Sequence, residues 1–340
     1  MKKILLTGAA GFIGFHIAKR LLLSGYQVIG LDSINDYYDV QLKYARLKET
    51  GIKQQDIQNG KLIKSVCFPA YSFIQANLED RQVLEQLFGT NKFDIVCNFA
   101  AQAGVRYSID NPDAYIQSNL VGFANILECC RHNGVKHLIY ASSSSIYGNA
   151  KKIPFSEQDR VDSPISLYAA TKKANELMAY AYSHLYHFQT TGLRFFTVYG
   201  PWGRPDMSPH LFTQAIVEGK PVKVFNYGNM ERDFTYIDDV VDAVKNIVMM
   251  DVTQRKGIPY QIYNIGNDIP VSLLSFIEAI EIALGKKAIK ELLPMQAGDV
   301  EKTWANISKA KKELNYNPKT GISQGIDKFV NWYKVYYNKD

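Results

Sequence analysis

The sequence contains no run of about 18 consecutive apolar residues, so a membrane-spanning helix is not expected. It has no Gly-x-Ser-x-Gly turn of the serine hydrolases and no Gly-Lys-Ser/Thr loop of the P-loop proteins. Its six histidines show no spacing typical of metal ligands, and we expect no metal. The four cysteines show no metal spacing either, and Cys97 lies within an apolar run. Free thiols in a reducing, cytoplasmic compartment are therefore expected.

The excess of basic residues is small. Thirty-nine lysines and arginines against 33 acidic residues give a net charge of +6 over 340 residues. The densest basic group, Lys309, Lys311 and Lys312, shares a predicted helix with Glu313 and is explained by a solvated face. This charge suits an anionic small molecule, and we expect no nucleic-acid partner.

Three glycines at a spacing of three follow the first predicted strand. Lys3–Thr7 is a short apolar run, the glycines come next, and apolar residues then recur at helical spacing. In such a strand–turn–helix unit, glycines permit a tight turn, close approach of the backbone to a pyrophosphate, and close helix–strand packing. The helix N-terminus favours the phosphates. The pattern predicts a cofactor-binding loop that comprises Gly8, Gly11, Phe12, Ile13 and Gly14.

The second predicted strand ends in an acid. Gln27–Leu31 is apolar, and Asp32 follows it. An acid at this place accepts hydrogen bonds from the adenosine ribose of a dinucleotide. Asp32 also repels a 2′-phosphate, and Ser33 and Ile34 offer no cation for one. We therefore expect NAD rather than NADP.

Strands and helices alternate over about 195 residues, and then the rhythm changes at a loop rich in glycine and proline (residues 200–209). This predicts an α/β protein, with a doubly wound parallel Rossmann sheet and a smaller C-terminal mixed α/β substrate domain. We place the NAD-binding domain at residues 1–195 and the second domain at 196–340. A segment near 236–265 is expected to return to the first sheet, and residues 51–64 are expected to form a loop.

Tyrosine and lysine four residues apart share one face of a helix. Three such pairs occur: Tyr44/Lys48, Tyr147/Lys151 and Tyr168/Lys172. Tyr147 runs into Gly148, which disfavours a helix, and Tyr44 lies in an insertion on the adenosine side. Tyr168 begins a strong helical pattern after the strand that ends in serines 142–145. We therefore predict Tyr168, Lys172 and one of the serines 142–145 as catalytic residues, the alternative being a surface helix with a chance pair and a serine-rich loop.

These residue types together suit the oxidation of an alcohol. A tyrosine has an ordinary pKa of about 10 and is a poor base at neutral pH. A lysine ammonium one turn away favours the phenolate, and so does an oxidised nicotinamide ring. A serine hydroxyl can hold the reacting oxygen while its proton leaves. The sequence therefore indicates proton removal from an alcohol, coupled to a hydride-accepting cofactor.

The glycine loop, Ser143, Tyr168 and Lys172 resemble the extended short-chain dehydrogenases/reductases of the nucleotide-sugar epimerase group. The resemblance covers essentially the whole chain. It is most similar to UDP-glucuronate 4-epimerases in the stretches INDYYDVQLKYARL (34–47), AAQAGVRYSIDNP (100–112), GLRFFTVYGPWGRPDM (192–207), RDFTYIDDV (232–240) and LPMQAGDV (293–300).

The resemblance implies roles for further residues. Additional contacts to NAD are implied for Asn77, where the family usually has Asp, and for Leu78, Phe99, Ala100, Ala101, Gln102 and Asn119. The UDP part of the substrate is implied to contact Lys223, Phe225, Arg232 and Asp299. The sugar is implied to contact Ser143, Ser144, Ser145, Thr197 and Arg204. Arg204 is a natural partner for a sugar carboxylate.

The resemblance implies a homodimeric enzyme that converts UDP-glucuronate into UDP-galacturonate through a 4-keto intermediate, in polysaccharide biosynthesis. Galactose-type relatives carry Arg where Gln296 stands, which argues against plain UDP-galactose. Alternatives are 4-epimerisation of a neutral UDP-sugar (glucose/galactose or N-acetylhexosamine) and decarboxylation of UDP-glucuronate. A remote alternative is a non-catalytic protein that senses or binds NAD; such a protein is expected to have lost Ser, Tyr or Lys, and all three are present.

Overall fold

The structure is a computed structural model that describes residues 1–251, 257–296 and 298–339. The strands are β1 (Lys3–Thr7), β2 (Gln27–Asp32), β3 (Leu62–Lys64), β4 (Tyr71–Gln75), β5 (Ile95–Asn98), β6 (His137–Ser143), β7 (Gln189–Phe195), β8 (Thr197–Tyr199), β9 (Val222–Val224), β10 (Glu231–Tyr236), β11 (Tyr260–Ile265), β12 (Pro270–Ser272) and β13 (Lys290–Leu292).

The α-helices are α1 (Phe12–Leu23), α2 (Val40–Glu49), α3 (Arg81–Thr90), α4 (Tyr107–Asp110), α5 (Pro112–Tyr115), α6 (Gly122–His132), α7 (Leu167–Tyr186), α8 (Ser208–Val217), α9 (Ile237–Met249), α10 (Leu273–Leu284), α11 (Ser308–Leu314) and α12 (Ile322–Tyr337). In the described part of the chain, every helix is too short or too polar to cross a membrane.

The chain divides into two compact units. The first unit comprises Met1–Gly148, Arg160–Arg194 and Val244–Tyr263. The second unit comprises Asn149–Asp159, Phe195–Ala243 and Asn264–Asp340. Within the segment that we expected to return to the first sheet, residues 252–256 lie outside the described residues.

The first unit is built on an eight-stranded sheet in the order β11-β7-β6-β5-β1-β2-β4-β3. Strand β1 pairs in parallel with β2 and β5, and the parallel pairing continues from β5 to β6 and from β2 to β4. The carboxyl ends of β1, β2, β5 and β6 therefore meet at one edge of the sheet, where ligands of such sheets bind. The predicted α/β sheet is confirmed.

The expectation of a plain loop over residues 51–64 is wrong at its end. Residues 62–64 form β3, which pairs antiparallel with β4 through Leu62↔Ile74 and Lys64↔Ser72. The strand has only three residues, and Leu62 and Lys64 are exposed. Short edge strands that carry lysine are common because they limit pairing with other chains.

Apolar residues of the central strands and of α3 and α6 form the core of the first unit. Leu5, Val96 and Leu138 lie on neighbouring strands and are fully buried, as are Leu84 of α3 and Ile126 of α6. Runs of apolar residues in parallel strands are expected when helices cover both faces of the sheet. This rigid core fixes the strand ends that carry the predicted site residues.

The helical stretch over residues 112–132 is not α-helical throughout. Residues 116–121 form a π-helical segment between α5 and α6. Asn119 lies in this segment and is buried. Such segments recur at functional sites because the wider turn redirects a side chain. Here the amide of Asn119 reaches the loop that follows β5.

The second unit holds a three-stranded sheet in the order β12-β10-β8 and a two-stranded sheet of β13 and β9. Helix α10 packs on α8 and α12. Phe234 of β10 stacks on Phe276 of α10, with ring centroids 4.0 Å apart. This aromatic contact joins sheet and helices in one core and holds β10, which carries Arg232.

Candidate active site

The backbone of the glycine loop packs so closely that a side chain at its glycine positions would meet neighbouring backbone atoms. Gly8 has φ +75°, and a Cβ there would lie 2.8 Å from the backbone nitrogen of Ala100. A Cβ on Gly14 would overlap the carbonyl oxygen of Gly8, so α1 packs directly on the turn. A Cβ on Gly11 would meet only the Gly8 peptide group, at 3.0 Å. The loop thus presents bare backbone at the start of α1, which fits a dinucleotide phosphate.

Helix α1 begins without a competing charge. Gly11 is its N-cap and offers no side-chain cap, and the first turn holds no acidic residue. The first backbone N–H groups of a helix have no partner within the helix and carry its positive dipole end. This terminus is therefore suited to an anion such as a pyrophosphate.

Asp32 is held rigidly at the end of β2. One carboxylate oxygen accepts the backbone N–H of Ile34 at 2.8 Å, and the other accepts that of Ala10 at 3.0 Å. Each oxygen retains a second acceptor position. The carboxylate is thus tied to the glycine loop and keeps the capacity to bind two ribose hydroxyls.

The other residues implied in NAD binding follow neighbouring strands. Thr7 Oγ1 accepts the N–H of Ala100 at 3.0 Å, which holds the segment of Phe99, Ala100 and Ala101 against the end of β1. Asn119 accepts the N–H of Gln102 at 2.8 Å and donates to its carbonyl oxygen at 3.0 Å. The loop after β5 is therefore fixed beside the glycine loop.

Asn77 and Leu78 differ from each other in exposure. Both follow β4, which pairs with β2. Asn77 is exposed, whereas Leu78 is buried in the core and its carbonyl accepts Asn125 Nδ2 at 2.9 Å. Of the two, only Asn77 offers a polar side chain to a ligand on this side of the sheet.

The predicted catalytic residues converge on the end of β6. Lys172 of α7 donates from Nζ to the carbonyl oxygen of Ala141 at 3.0 Å, two residues before Ser143. The Ser143 hydroxyl accepts the N–H of Ser145 at 3.1 Å and so caps the turn after the strand. Tyr168 lies one turn before Lys172 on the same helical face. Helix α7 packs against β6 and this turn, so the structure brings the three residues together.

Burial shapes the chemistry of this trio. Lys172 is 4% exposed, and desolvation lowers its pKa to about 8. A partly desolvated ammonium interacts strongly with a neighbouring charge because the local dielectric constant is low. The Tyr168 ring packs edge-on against Tyr115, with centroids 6.1 Å apart. This contact limits rotation of the phenol.

In the second unit, Arg232 and Asp299 belong to segments that contact each other. Arg232 Nη1 donates to the carbonyl oxygens of Glu231, at 2.9 Å, and Glu301, at 3.1 Å. Glu301 is two residues beyond Asp299. Thr197 of β8 stands in register with Phe234 of β10, two residues from Arg232. The second unit thus places Thr197, Arg232 and the loop of Asp299 on adjacent segments.

The remaining predicted substrate residues lie elsewhere in the second unit. Lys223 is exposed on β9, in register with Glu291 of β13, and Phe225 follows that strand. Arg204 follows β8 and forms a bidentate ion pair with Asp206, with Nε 2.9 Å from Oδ1 and Nη2 on Oδ2. The pairing with Asp206 was not expected, and it orients the guanidinium.

Two buried cations beside the glycine loop were missed. Arg46 of α2 is fully buried and donates to the carbonyl oxygen of Ala10, at 2.9 Å, and to Tyr38 Oη, at 2.7 Å. Lys43 is 4% exposed and donates to Asn35 Oδ1 at 2.7 Å. Arg46 brings positive charge to the glycine loop, which favours an anionic ligand, and Lys43 brings it to the segment after β2. Their spacing of three residues was the available signal, but lysine and arginine on a helix usually face solvent.

Within the described ranges, no group of three or more His, Cys, Asp or Glu side chains could hold a metal ion.

Comparison with known proteins agrees with this geometry. The profile of the family described as "NAD dependent epimerase/dehydratase family" matches residues 4–266. The chain belongs to this family. Protein CapI of Staphylococcus aureus is 51% identical over 349 residues, which cover 99% of this chain and 100% of that protein. A probable UDP-glucuronate 4-epimerase of Rhizobium meliloti is 43% identical over 350 residues, covering 99% and 98%.

A solved structure is similar over nearly the full length. The crystal structure of UDP-glucuronic acid 4-epimerase from Bacillus cereus, in complex with UDP-glucuronic acid and NAD, has a TM-score of 0.87 and 33% sequence identity. The match covers 98% of this chain and 100% of that structure. The predicted family membership and Rossmann-type fold are confirmed.

Proposed function

We propose that the protein is an NAD-dependent 4-epimerase that interconverts UDP-glucuronate and UDP-galacturonate through a 4-keto sugar. The observation that carries this proposal is the convergence of Ser143, Tyr168 and Lys172 on the end of β6, beside the bare glycine loop. The relative from Rhizobium meliloti and the structure from Bacillus cereus, both named as UDP-glucuronate 4-epimerases, support the choice of substrate.

In the first unit, we assign the glycine loop, Asp32 and the loop after β5 to NAD, which supplies a reversible hydride acceptor when bound. Tyr168 takes the proton of the sugar 4-hydroxyl, and Ser143 holds the oxygen through a hydrogen bond. Lys172 favours the phenolate form of Tyr168 by its charge. After the ring has turned over, the same groups would return the proton to the C4 oxygen, and reduction of the 4-keto sugar on its opposite face would invert C4.

In the second unit, we assign Lys223, Phe225, Arg232 and Asp299 to the UDP part of the substrate. Arg232 can pair with the diphosphate, and Asp299 can accept ribose hydroxyls. Thr197 and Arg204 of this unit are assigned to the sugar and its carboxylate. In the first unit, Ser144 and Ser145 are assigned to the same group of the substrate. Residues 1–195 then act mainly as the cofactor domain and residues 196–340 as the substrate domain.

The test is a product analysis with a panel of UDP-sugars and catalytic amounts of NAD. UDP-glucuronate is expected to give UDP-galacturonate without net consumption of cofactor. Faster conversion of UDP-glucose or UDP-N-acetylglucosamine would refute the substrate but not the chemistry. A lack of turnover with every sugar, in protein that binds NAD, would favour the non-catalytic alternative.

We expect the protein to prefer NAD to NADP. A 2′-phosphate would meet the Asp32 carboxylate, which is already fixed by two backbone N–H groups and cannot turn away without losing them. The variant Asp32→Ala should weaken NAD binding and reduce the difference in affinity between NAD and NADP. Titration calorimetry with both dinucleotides measures these affinities. Tighter binding of NADP by the unaltered protein would contradict this prediction.

We also propose a homodimer that works in the cytoplasm on precursors of polysaccharides. Apolar side chains remain exposed on α7, with Leu177 59% and Leu185 61% exposed, and Val121 before α6 is 39% exposed. An apolar surface on two neighbouring helices suits a four-helix interface with a second copy. Light scattering at micromolar protein should give twice the chain mass, and Leu177→Glu should shift it toward the monomer. A monomeric mass for the unaltered protein would count against the dimer.

A further inference from the structure

A buried ion pair connects α7, the helix that carries Tyr168 and Lys172, with strand β7. Glu176 of α7 and Arg194 of β7 have side chains that are 1% and 4% exposed. Arg194 donates from Nε to Glu176 Oε1 and from Nη2 to Oε2, both at 2.9 Å. This bidentate arrangement fixes direction as well as distance between helix and strand.

The pair also holds the strand end that carries Ser143. The Ser142 hydroxyl donates to Glu176 Oε1 at 2.7 Å, and Ser142 directly precedes Ser143. Arg194 Nη1 donates to Tyr147 Oη at 2.9 Å, in the turn that Ser143 begins. These hydrogen bonds therefore connect α7, β6, β7 and the turn after β6 through the Glu176–Arg194 pair.

The position of Glu176 on α7 places its charge close to the predicted chemistry. It lies four residues after Lys172 and eight after Tyr168, so all three belong to one helical face. The helical rise puts it about 6 Å beyond Lys172 and about 12 Å beyond Tyr168 along the axis. An unbalanced carboxylate at that distance would raise the pKa of both groups.

We propose that Glu176 and Arg194 are positioning residues, which hold Ser143, Tyr168 and Lys172 in place through charge-assisted hydrogen bonds. Because the two side chains carry opposite charges, the pair adds no net charge. This inference rests on the proposed function. A single buried charge at this place could form equally strong hydrogen bonds to the neighbouring segments. It would, however, shift the pKa of Tyr168 and of Lys172. A buried ion pair often adds little net stability compared with apolar residues of similar volume. Positioning without an added charge accounts for its presence beside a titrating site.

Among the described residues, other titratable groups also face the pair. Lys173 Nζ lies 3.7 Å from Glu176 Oε2 and is partly exposed. Tyr140 and Tyr260 lie near Glu176, and burial is the main cause that raises the pKa of both phenols. The charge of Glu176 raises both further, after the effect of Tyr260 in the case of Tyr140. Burial lowers the pKa of Arg194, but the hydrogen bonds and charge of Glu176 more than offset this. Arg194 is therefore charged across the working pH range, whereas burial lowers the pKa of Lys172 to about 8.

The test compares Glu176→Gln, Arg194→Met and the double variant in the NAD-loaded enzyme. Loss of the negative charge should move the pH–rate profile to lower pH, and loss of the positive charge should move it to higher pH. The shift for Glu176→Gln should be about one pH unit, as a unit charge about 12 Å away produces at an effective dielectric constant near 20, and the shift for Arg194→Met should have the opposite sign. The double variant should recover the profile of the unaltered enzyme but keep a kcat about 10- to 100-fold lower, with KM little changed.

A second readout does not depend on turnover. In each background, the ultraviolet difference between the Tyr168 protein and its Tyr168→Phe counterpart reports ionisation of this phenol, and its midpoint should shift with the same sign as the rate profile. Tyr147→Phe removes an acceptor of Arg194 without changing charge and should leave the midpoint unchanged. If Arg194→Met fails to fold, Glu176→Gln still tests the sign.

Shifts of the same sign in both single variants, or rates that fall with no shift at all, would overturn the inference. A double variant with full kcat would overturn the positioning role. Absence of epimerase activity in the unaltered protein would instead overturn the proposed function, because the phenol titration could still show the shifts.

Discussion

Replacement of Tyr168 by phenylalanine is expected to abolish turnover and to leave UDP-sugar binding nearly intact. The phenol acts on the transferring proton, an interaction that matters most in the transition state. A positioned acid/base group typically contributes a factor of about 10² to 10⁴ in rate. The ring itself should stay in place, because its packing against Tyr115 does not involve the hydroxyl. Initial rates and calorimetric binding of the UDP-sugar measure the two effects.

The chain offers a matched control for this substitution. Tyr44 also precedes a lysine by four residues, and both residues of that pair lie on α2. Tyr44→Phe should retain the rate of the unaltered protein. A Tyr168→Phe variant with more than about a tenth of the normal rate would show that Tyr168 is not the base.

The sequence was sufficient for those parts of the site that depend on local patterns. The glycine spacing, the acid after β2 and the Tyr–Lys pair each reflect a single turn or helix face. The three Tyr–Lys pairs also differ in the structure: Tyr147 lies in a short turn that ends at Gly148, with φ +56°, and its hydroxyl accepts a hydrogen bond from Arg194. Only the pair of Tyr168 and Lys172 lies on a helix that packs on the end of β6.

The features that the sequence did not reveal depend on contacts between distant segments. Glu176 and Arg194 are 18 residues apart and on different elements, so no periodicity joins them. The π-helical segment around Asn119 interrupts an otherwise regular helical pattern. Arg46 can be buried because the glycine loop supplies the Ala10 carbonyl as one of its acceptors. In each case tertiary hydrogen bonding overrides the expectation that a polar residue on a helix faces solvent.

The proposed reaction requires that the carboxylate of the substrate be retained during oxidation. Oxidation at C4 of UDP-glucuronate places the C5 carboxylate β to a ketone, and such an acid loses carbon dioxide when its carboxylate can turn perpendicular to the carbonyl. Related decarboxylases and dehydratases carry a Glu, or an Asp-Glu pair, just after the catalytic Ser or Thr. This chain has Ser144 and Ser145 there, which lack a group for elimination and can hydrogen-bond the carboxylate instead.

Arg204 is the proposed cationic partner of that carboxylate, and its pairing with Asp206 determines how it can act. The Asp206 carboxylate engages Nε and Nη2, and thereby fixes the guanidinium plane. Arginine carries five N–H donors, and the ion pair with Asp206 uses two of them. Asp206 is then an orienting group for Arg204.

Arg204→Ala is accordingly expected to lower kcat/KM for UDP-glucuronate about 10- to 100-fold, the range for hydrogen bonds to a charged group, while a neutral UDP-sugar loses far less. Asp206→Asn keeps an acceptor for Arg204 and should show the same selectivity to a smaller degree. Because Arg204→Ala leaves the substrate carboxylate less restrained, this variant should also release more carbon dioxide per turnover. A UDP-pentose should be the accompanying product. Product separation and measurement of carbon dioxide check both effects. An equal loss for acidic and neutral sugars would show that Arg204 serves the fold, and UDP-xylose as the main product of the unaltered enzyme would refute carboxylate retention.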